Sequence, residues 1–143
     1  KLDESGVKAV LYIAGGDLRR AINTLQGASA VGGVLNDEIV YKVASRARPE
    51  EVLKMLQSAL SGEFMEARDM LHELLINYGL SGTDVVRQIH RETFNLMIPD
   101  SEKVKLIDHV GETDYRLTQG ANEEIQLSAL LANFVNIGGK MSH

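Results

Sequence analysis

Three short stretches of this chain carry residue types whose spacing bears on chemistry. The first is GGDLRRAIN, residues 15–23. Two glycines close one element, Asp17 stands where a helix cap belongs, and Arg19 and Arg20 fall in the first turn that follows. A helix N-terminus carries roughly half a positive charge, so an exposed cation there is disfavoured by about 0.3 to 1 kcal/mol. The placement makes physical sense if an anion approaches that helix end, because a guanidinium is a planar donor fork matched to phosphate oxygens. As an ordinary surface residue, Arg19 would instead pair with Asp17. These residues alone leave both readings open.

The other two stretches are near misses. GASAVGG, residues 27–33, imitates the glycine spacing of a phosphate-binding loop, but Gly33 and Val34 stand where lysine and a hydroxyl residue are needed. It follows a helical pattern, not a strand, and reads as a helix end and loop. HELLI, residues 72–76, begins like a zinc-protease helix, yet Ile76 occupies the second histidine's place, which leaves His72 as a solvated or capping residue. His90, His109 and His143 lack partner histidines at helical metal spacing, and no acid/base pair stands out. No catalytic residue and no metal ligand is therefore assigned.

The bulk properties narrow the class. A chain of 143 residues makes one ordinary domain or two small ones, and a net charge of −5 provides no general basic field for a nucleic-acid backbone. There is no cysteine, hence no disulfide framework or thiolate metal site, in keeping with an intracellular, cytoplasmic protein. No apolar run approaches the roughly 18 residues that span a bilayer, and KLDESGVKAV lacks a signal peptide's apolar core. The start at Lys1, already inside a helical pattern, points to a fragment of a longer protein.

Helical periodicity fits almost the whole chain, and the predicted class is all-α. Val7, Val10, Leu11 and Ala14 form a stripe ending at Gly15 and Gly16. Leu18, Ala21, Ile22, Leu25 and Ala28 form a second ending near Gly32 and Gly33, and Asn36 caps a third helix carrying Ile39, Val40, Val43 and Ala44. On the second helix Leu18, Ile22 and Leu25 define the buried direction, so Arg20 lies nearly opposite it and Arg19 on its shoulder. Pro49 with Glu50 and Glu51 opens a new helix, which places a boundary near Ala47.

Five helices are expected after the boundary. Their stripes are Val52 to Leu60, Phe64 to Tyr78, Val86 to Met97, Val104 to Tyr115 through Gly111, and a last helix capped by Asn122 and running to about Ile137 before a fraying tail. The last helix is apolar almost all round, leaving only Gln126, Asn133 and Asn136 as a polar strip. It is either a central helix wrapped by its own four neighbours or one shared between its own bundle and another subunit.

A family resemblance joins these pieces. GGDLRRAINTLQ resembles the sensor 2 segment in the lid of AAA+ clamp loaders, above all the archaeal replication factor C small subunits. DYRLTQGANEEIQLSALLANF, residues 114–134, is similar to the end of their collar domain. The resemblance covers the whole chain in order. It implies a three-helix lid over residues 1–46 and a five-helix collar for oligomerisation over 47–143.

By that resemblance Arg19 is the nucleotide-binding sensor 2 arginine, reaching the γ-phosphate of ATP bound to the same subunit. Leu127, Leu130, Leu131, Phe134 and Val135 are the expected subunit-interface residues. The resemblance further implies that the Walker A, Walker B and arginine-finger elements lie upstream of Lys1. ATP with Mg would serve the full-length protein and no cofactor this fragment, which is not an enzyme by itself. Expected partners are the large and small clamp-loader subunits, with a homo-oligomer in isolation. The upstream region would bring the sliding clamp and primer-template DNA, with no membrane involved. The competing readings are a free-standing helical adaptor that holds a partner helix in an apolar groove, and a helical DNA-binding domain, which the negative charge disfavours.

Overall fold

The computed structural model describes residues 2–30, 33–44 and 47–141. Lys1, Gly32 and His143, which entered the sequence reading, lie outside the described residues, as do the side chains of Leu18 and Val43. The described residues form eight α-helices, with one isolated bridge between Leu2 and Leu35. They divide into two compact units, Lys1–Arg48 and Pro49–His143.

In the N-terminal unit, α1 (Glu4–Ala14), α2 (Leu18–Ser29) and α3 (Asp37–Val43) pack against one another. The Asp3 side chain caps α1 by accepting from the Gly6 N–H at 2.8 Å, and Asn36 caps α3 by accepting from Ile39 N–H at 3.0 Å. The starts of α1 and α3 are stitched together by Asp3 N–H to Leu35 O and Asp37 N–H to Ser5 Oγ, both 3.1 Å. Gly6 sits where a Cβ would run into the Leu35 carbonyl, which is why this contact needs glycine.

The buried face of α1 is Ala9, Val10, Ile13 and Ala14, while Val7 and Leu11 of the expected stripe are exposed. Both α2 and α3 pack on this short helix, and its rotation toward them leaves Val7 and Leu11 outside. On α2 the inward residues are Thr24 and Ala28, flanked by half-buried Ala21 and Leu25, with Ile22 exposed.

In the C-terminal unit, α4 (Pro49–Leu60) begins with its proline and two glutamates in the first turn. Then come α5 (Phe64–His72), continued by a π-helical turn over Glu73–Asn77, α6 (Gly82–Thr93), α7 (Asp100–Thr118) and α8 (Glu123–Met141). Ser81 Oγ accepts from Asp84 N–H at 3.1 Å, and Asn122 Oδ1 accepts from Ile125 N–H at 2.9 Å, so both helices start on side-chain caps. The centre is α8, which packs on α4, α5, α6 and α7.

Three expectations shift. The α6 helix stops at Thr93, and Met97 is 97% exposed. The buried face of α7 is Leu106, Val110, Thr113 and Leu117, with Val104 and Tyr115 outside. The last helix runs through Gly138 and Gly139 to Met141, because Gly138 is packed on the backbone of Leu60 so closely that a Cβ would collide with it. Tertiary contact there outweighs the roughly 1 kcal/mol that glycine costs inside a helix.

Candidate functional site

The start of α2 is built by a sharp reversal. Gly15 and Gly16 take positive φ values of 56° and 91°, a region open to glycine at little cost, and the chain reaches Asp17 already turned. Asp17 Oδ1 accepts from the backbone N–H of Arg19 at 2.9 Å and of Arg20 at 3.2 Å. Its carboxylate is thus used on the helix end, and among the described residues Arg19 has no ion-pair partner. The pairing with Asp17 that the ordinary surface reading implied is therefore not made among the described residues. Two of the N–H groups at this helix end are thereby satisfied.

The two arginines exchange directions relative to the sequence reading. Both are exposed. With Thr24 and Ala28 facing inward, steps of about 100° per residue put Arg19 nearly opposite the unit's core and Arg20 nearer its edge. Ile22, which set the expected buried direction, is itself half outside, and this is what rotates the assignment. Arg19 therefore projects outward from the three-helix unit.

The expected interface residues on α8 stand elsewhere than predicted. Leu127, Leu130, Leu131 and Phe134 are each 0% exposed and form the core of their own unit, and Val135 is half-buried. A side chain with no accessible surface has none to offer a neighbour, so the interface assignment of these four is corrected. The physical reason is the number of helices around α8: four neighbours suffice to enclose most of its apolar girth. Its outward residues include Ile125, Ala129, Asn136 and Gly139.

Two charged faces were not singled out from the sequence. On α5 and its π-helical continuation the exposed residues include Glu66, Asp69 and Glu73, preceded by Glu63. On α6 the exposed residues from position 87 onward are Arg87, His90, Arg91 and, just beyond the helix, Phe94. The His90 and Phe94 rings meet edge to face with centroids 5.2 Å apart. The signal was present as like-charged residues at three- and four-residue spacing.

The remaining candidates resolve simply. His72 is exposed, with Nδ1 3.8 Å from Glu124 Oε1, which also lies 3.9 Å from Arg68. Among the described residues no group of three or more histidines and carboxylates could hold a metal ion. A groove between α6 and α7 is lined by Val86, Arg87, His90, Val110, Gly111 and Asp114. No described helix is long and apolar enough to cross a membrane.

Residues 47–133, most of the C-terminal unit, match the family described as the replication factor C C-terminal domain. The chain belongs to the replication factor C family. Its relatives named replication factor C small subunit include those of Methanocaldococcus jannaschii, 56% identical over 137 residues, and Archaeoglobus fulgidus, 51% identical over 140 residues. A third, from Methanococcus maripaludis, is 53% identical over 131 residues. These alignments cover 96, 98 and 92% of this chain but 7, 44 and 42% of the relatives. The chain thus spans less than half the length of these replication factor C subunits. The N-terminal unit with Arg19 lies before the family match, yet alignments covering nearly the whole chain take it in.

Proposed function

We propose that this chain is the lid and collar of a clamp-loader small subunit, with residues 1–46 sensing nucleotide and residues 47–143 joining subunits for ATP-dependent loading of a sliding clamp onto primed DNA. The observation that carries the reading is the alignment of almost the entire chain, both units in order, with replication factor C small subunits. Arg19 is the residue assigned to the γ-phosphate of ATP. Its fit to that role rests on an exposed guanidinium at a glycine-hinged helix start, facing away from its own unit's core. A phosphoryl group is met by parallel N–H donors of such a fork, a charge-assisted contact stronger than a neutral hydrogen bond.

Nucleotide with Mg would supply the phosphoryl chemistry in the full-length protein. The role of this chain's own residue is to bind and orient. Because the guanidinium gains its anion only when nucleotide is bound, nucleotide biases the position of the three-helix unit by the differential contact free energy. The test is Arg19→Ala in the full-length protein. Clamp loading and ATP turnover are expected to fall by about tenfold or more, with subunit assembly and thermal stability within roughly 0.5 kcal/mol of the parent. Unchanged turnover and loading would remove the sensor assignment.

A further inference from the structure

The groove between α6 and α7 is lined by Arg87 and His90 on one helix and Asp114 on the other, with the buried side chains of Val86 and Val110 and the backbone of Gly111 between them. It encloses about 320 Å³, at the small end of the roughly 300 to 1,000 Å³ of ligand pockets. Opposite charges flank it, yet among the described residues neither Arg87 nor Asp114 has an ion-pair partner, so the two do not meet across the gap. Asp114 Oδ1 is moreover cut off from solvent without a hydrogen-bond partner. A buried acceptor left unmet is costly, and a carboxylate in the groove wall gains when a donor is brought to it. On the basic side, the His90 ring is steadied by its edge-to-face contact with Phe94, with centroids 5.2 Å apart.

Gly111 is an independent sign. Glycine is costly inside a helix and is kept there for a close approach or a forced backbone angle. Gly6, Gly82 and Gly138 meet that need, since a Cβ on them would collide with Leu35, Glu123 and Leu60 respectively. Gly111 stands in the middle of α7 without a positive φ, and a Cβ there would meet no neighbouring element within 4 Å. Gly139 is equally open but falls in the last turn of α8, where glycine is at home near a helix end. The chain's own packing thus gives no reason for glycine at position 111, whereas an occupant lying close on the backbone between the charged walls does.

We propose that the α6/α7 groove binds a small aliphatic zwitterion, an α-amino acid of the leucine type. Its ammonium donates to Asp114, its carboxylate accepts from Arg87 with His90 alongside, and its branched side chain lies on Val86 and Val110 over Gly111. A lone anion would face the Asp114 carboxylate and a lone cation the Arg87 guanidinium, so a molecule bearing both charges suits the two walls best.

The experiment is an amide-shift titration by heteronuclear NMR of the 143-residue chain with L-leucine, with isocaproate, which lacks the ammonium, and with isoamylamine, which lacks the carboxylate. Leucine should shift the amides of residues 86–90 and 110–114 with a Kd on the order of 1 mM, and each half-molecule should bind about tenfold more weakly or worse. Arg87→Gln should weaken leucine and isocaproate while sparing isoamylamine. Asp114→Asn should weaken leucine and isoamylamine while sparing isocaproate. Gly111→Ala places a methyl group in the groove: the melting temperature should hold or rise, because alanine is the better helix former, while leucine binding falls about tenfold or more.

No shift up to the solubility limit of leucine overturns the proposal and leaves a groove that holds only water. Equal binding of all three molecules reduces the contact to an apolar one and overturns the pairing of charges. A folded Gly111→Ala variant that binds leucine as well as the parent does puts the site elsewhere and overturns the groove assignment.

Discussion

The two units bury apolar surface in different ways. The N-terminal unit centres on Ala9, Val10, Ile13, Ala28, Leu35, Val40 and Tyr41, a cluster with two alanines and one aromatic ring. It leaves Val7, Leu11, Ile22 and Val34 exposed. The C-terminal unit surrounds α8 and fully buries Phe134, Met55, Leu56, Leu71, Ile89, Leu106, Leu127, Leu130 and Leu131. Buried apolar area grows faster than chain length in small domains, so a unit of about fifty residues sits near the margin of independent stability. The difference teaches that the larger unit can hold a fixed scaffold, whereas the smaller one has little to spare and depends on its caps and strand-like stitching.

That contrast can be broken most forcefully at the centre of the large unit. Phe134→Ala removes a fully enclosed ring from α8 and is expected to cost about 3 to 5 kcal/mol. Denaturant unfolding followed by hydrogen exchange should show the loss in residues 49–143. A loss below about 1 kcal/mol would mean that α8 is not the centre.

Ile13→Ala is expected to cost somewhat less, about 2 to 4 kcal/mol, but with a larger structural consequence. The small unit should exchange its amides freely across α1 to α3 while the large unit keeps its protection. If both units lost protection together, their stabilities would be one quantity and the contrast between them would fail.

The mildest test is pH. The backbone N–H of Gly6, with help from the Ser5 hydroxyl, holds the Asp3 carboxyl below the ordinary carboxylate value. A depressed folded value means the cap contributes fully above the unfolded pKa of about 3.9 and is lost as pH falls through the lower folded value. The first turn of α1 should therefore fray in acid, and Asp3→Asn should make that fraying independent of pH in this window. Amide shifts of Glu4 to Val7 followed from neutral to acid pH would show the opposite if the cap were idle.

Much of the fold was legible because its signals are local. Asn36, Pro49 and Asn122 stand at helix starts, and Gly15 and Gly16 take positive φ where α1 ends, since capping and left-handed turns depend on a few adjacent residues. The faces of the helices were less legible. Val7, Leu11, Ile22, Val104 and Tyr115 fit an apolar period yet lie outside. A period fixes only a helical repeat, whereas the rotation of each helix is chosen by what packs on it. For the same reason Arg19 was found as a candidate by type and position, but its direction relative to Arg20 came out reversed.

By itself the sequence determined the all-helical class and the membership of Arg19 in a helix start that follows two glycines. These follow from backbone preferences and short-range hydrogen bonds that a few neighbouring residues decide. Only the tertiary structure decided that Leu127, Leu130, Leu131 and Phe134 are enclosed by four neighbours of their own unit, that α8 continues through Gly138 against Leu60, and that the charged faces of α5 and α6 point outward. Enclosure depends on how many helices surround a side chain, and residues far apart in sequence set that number.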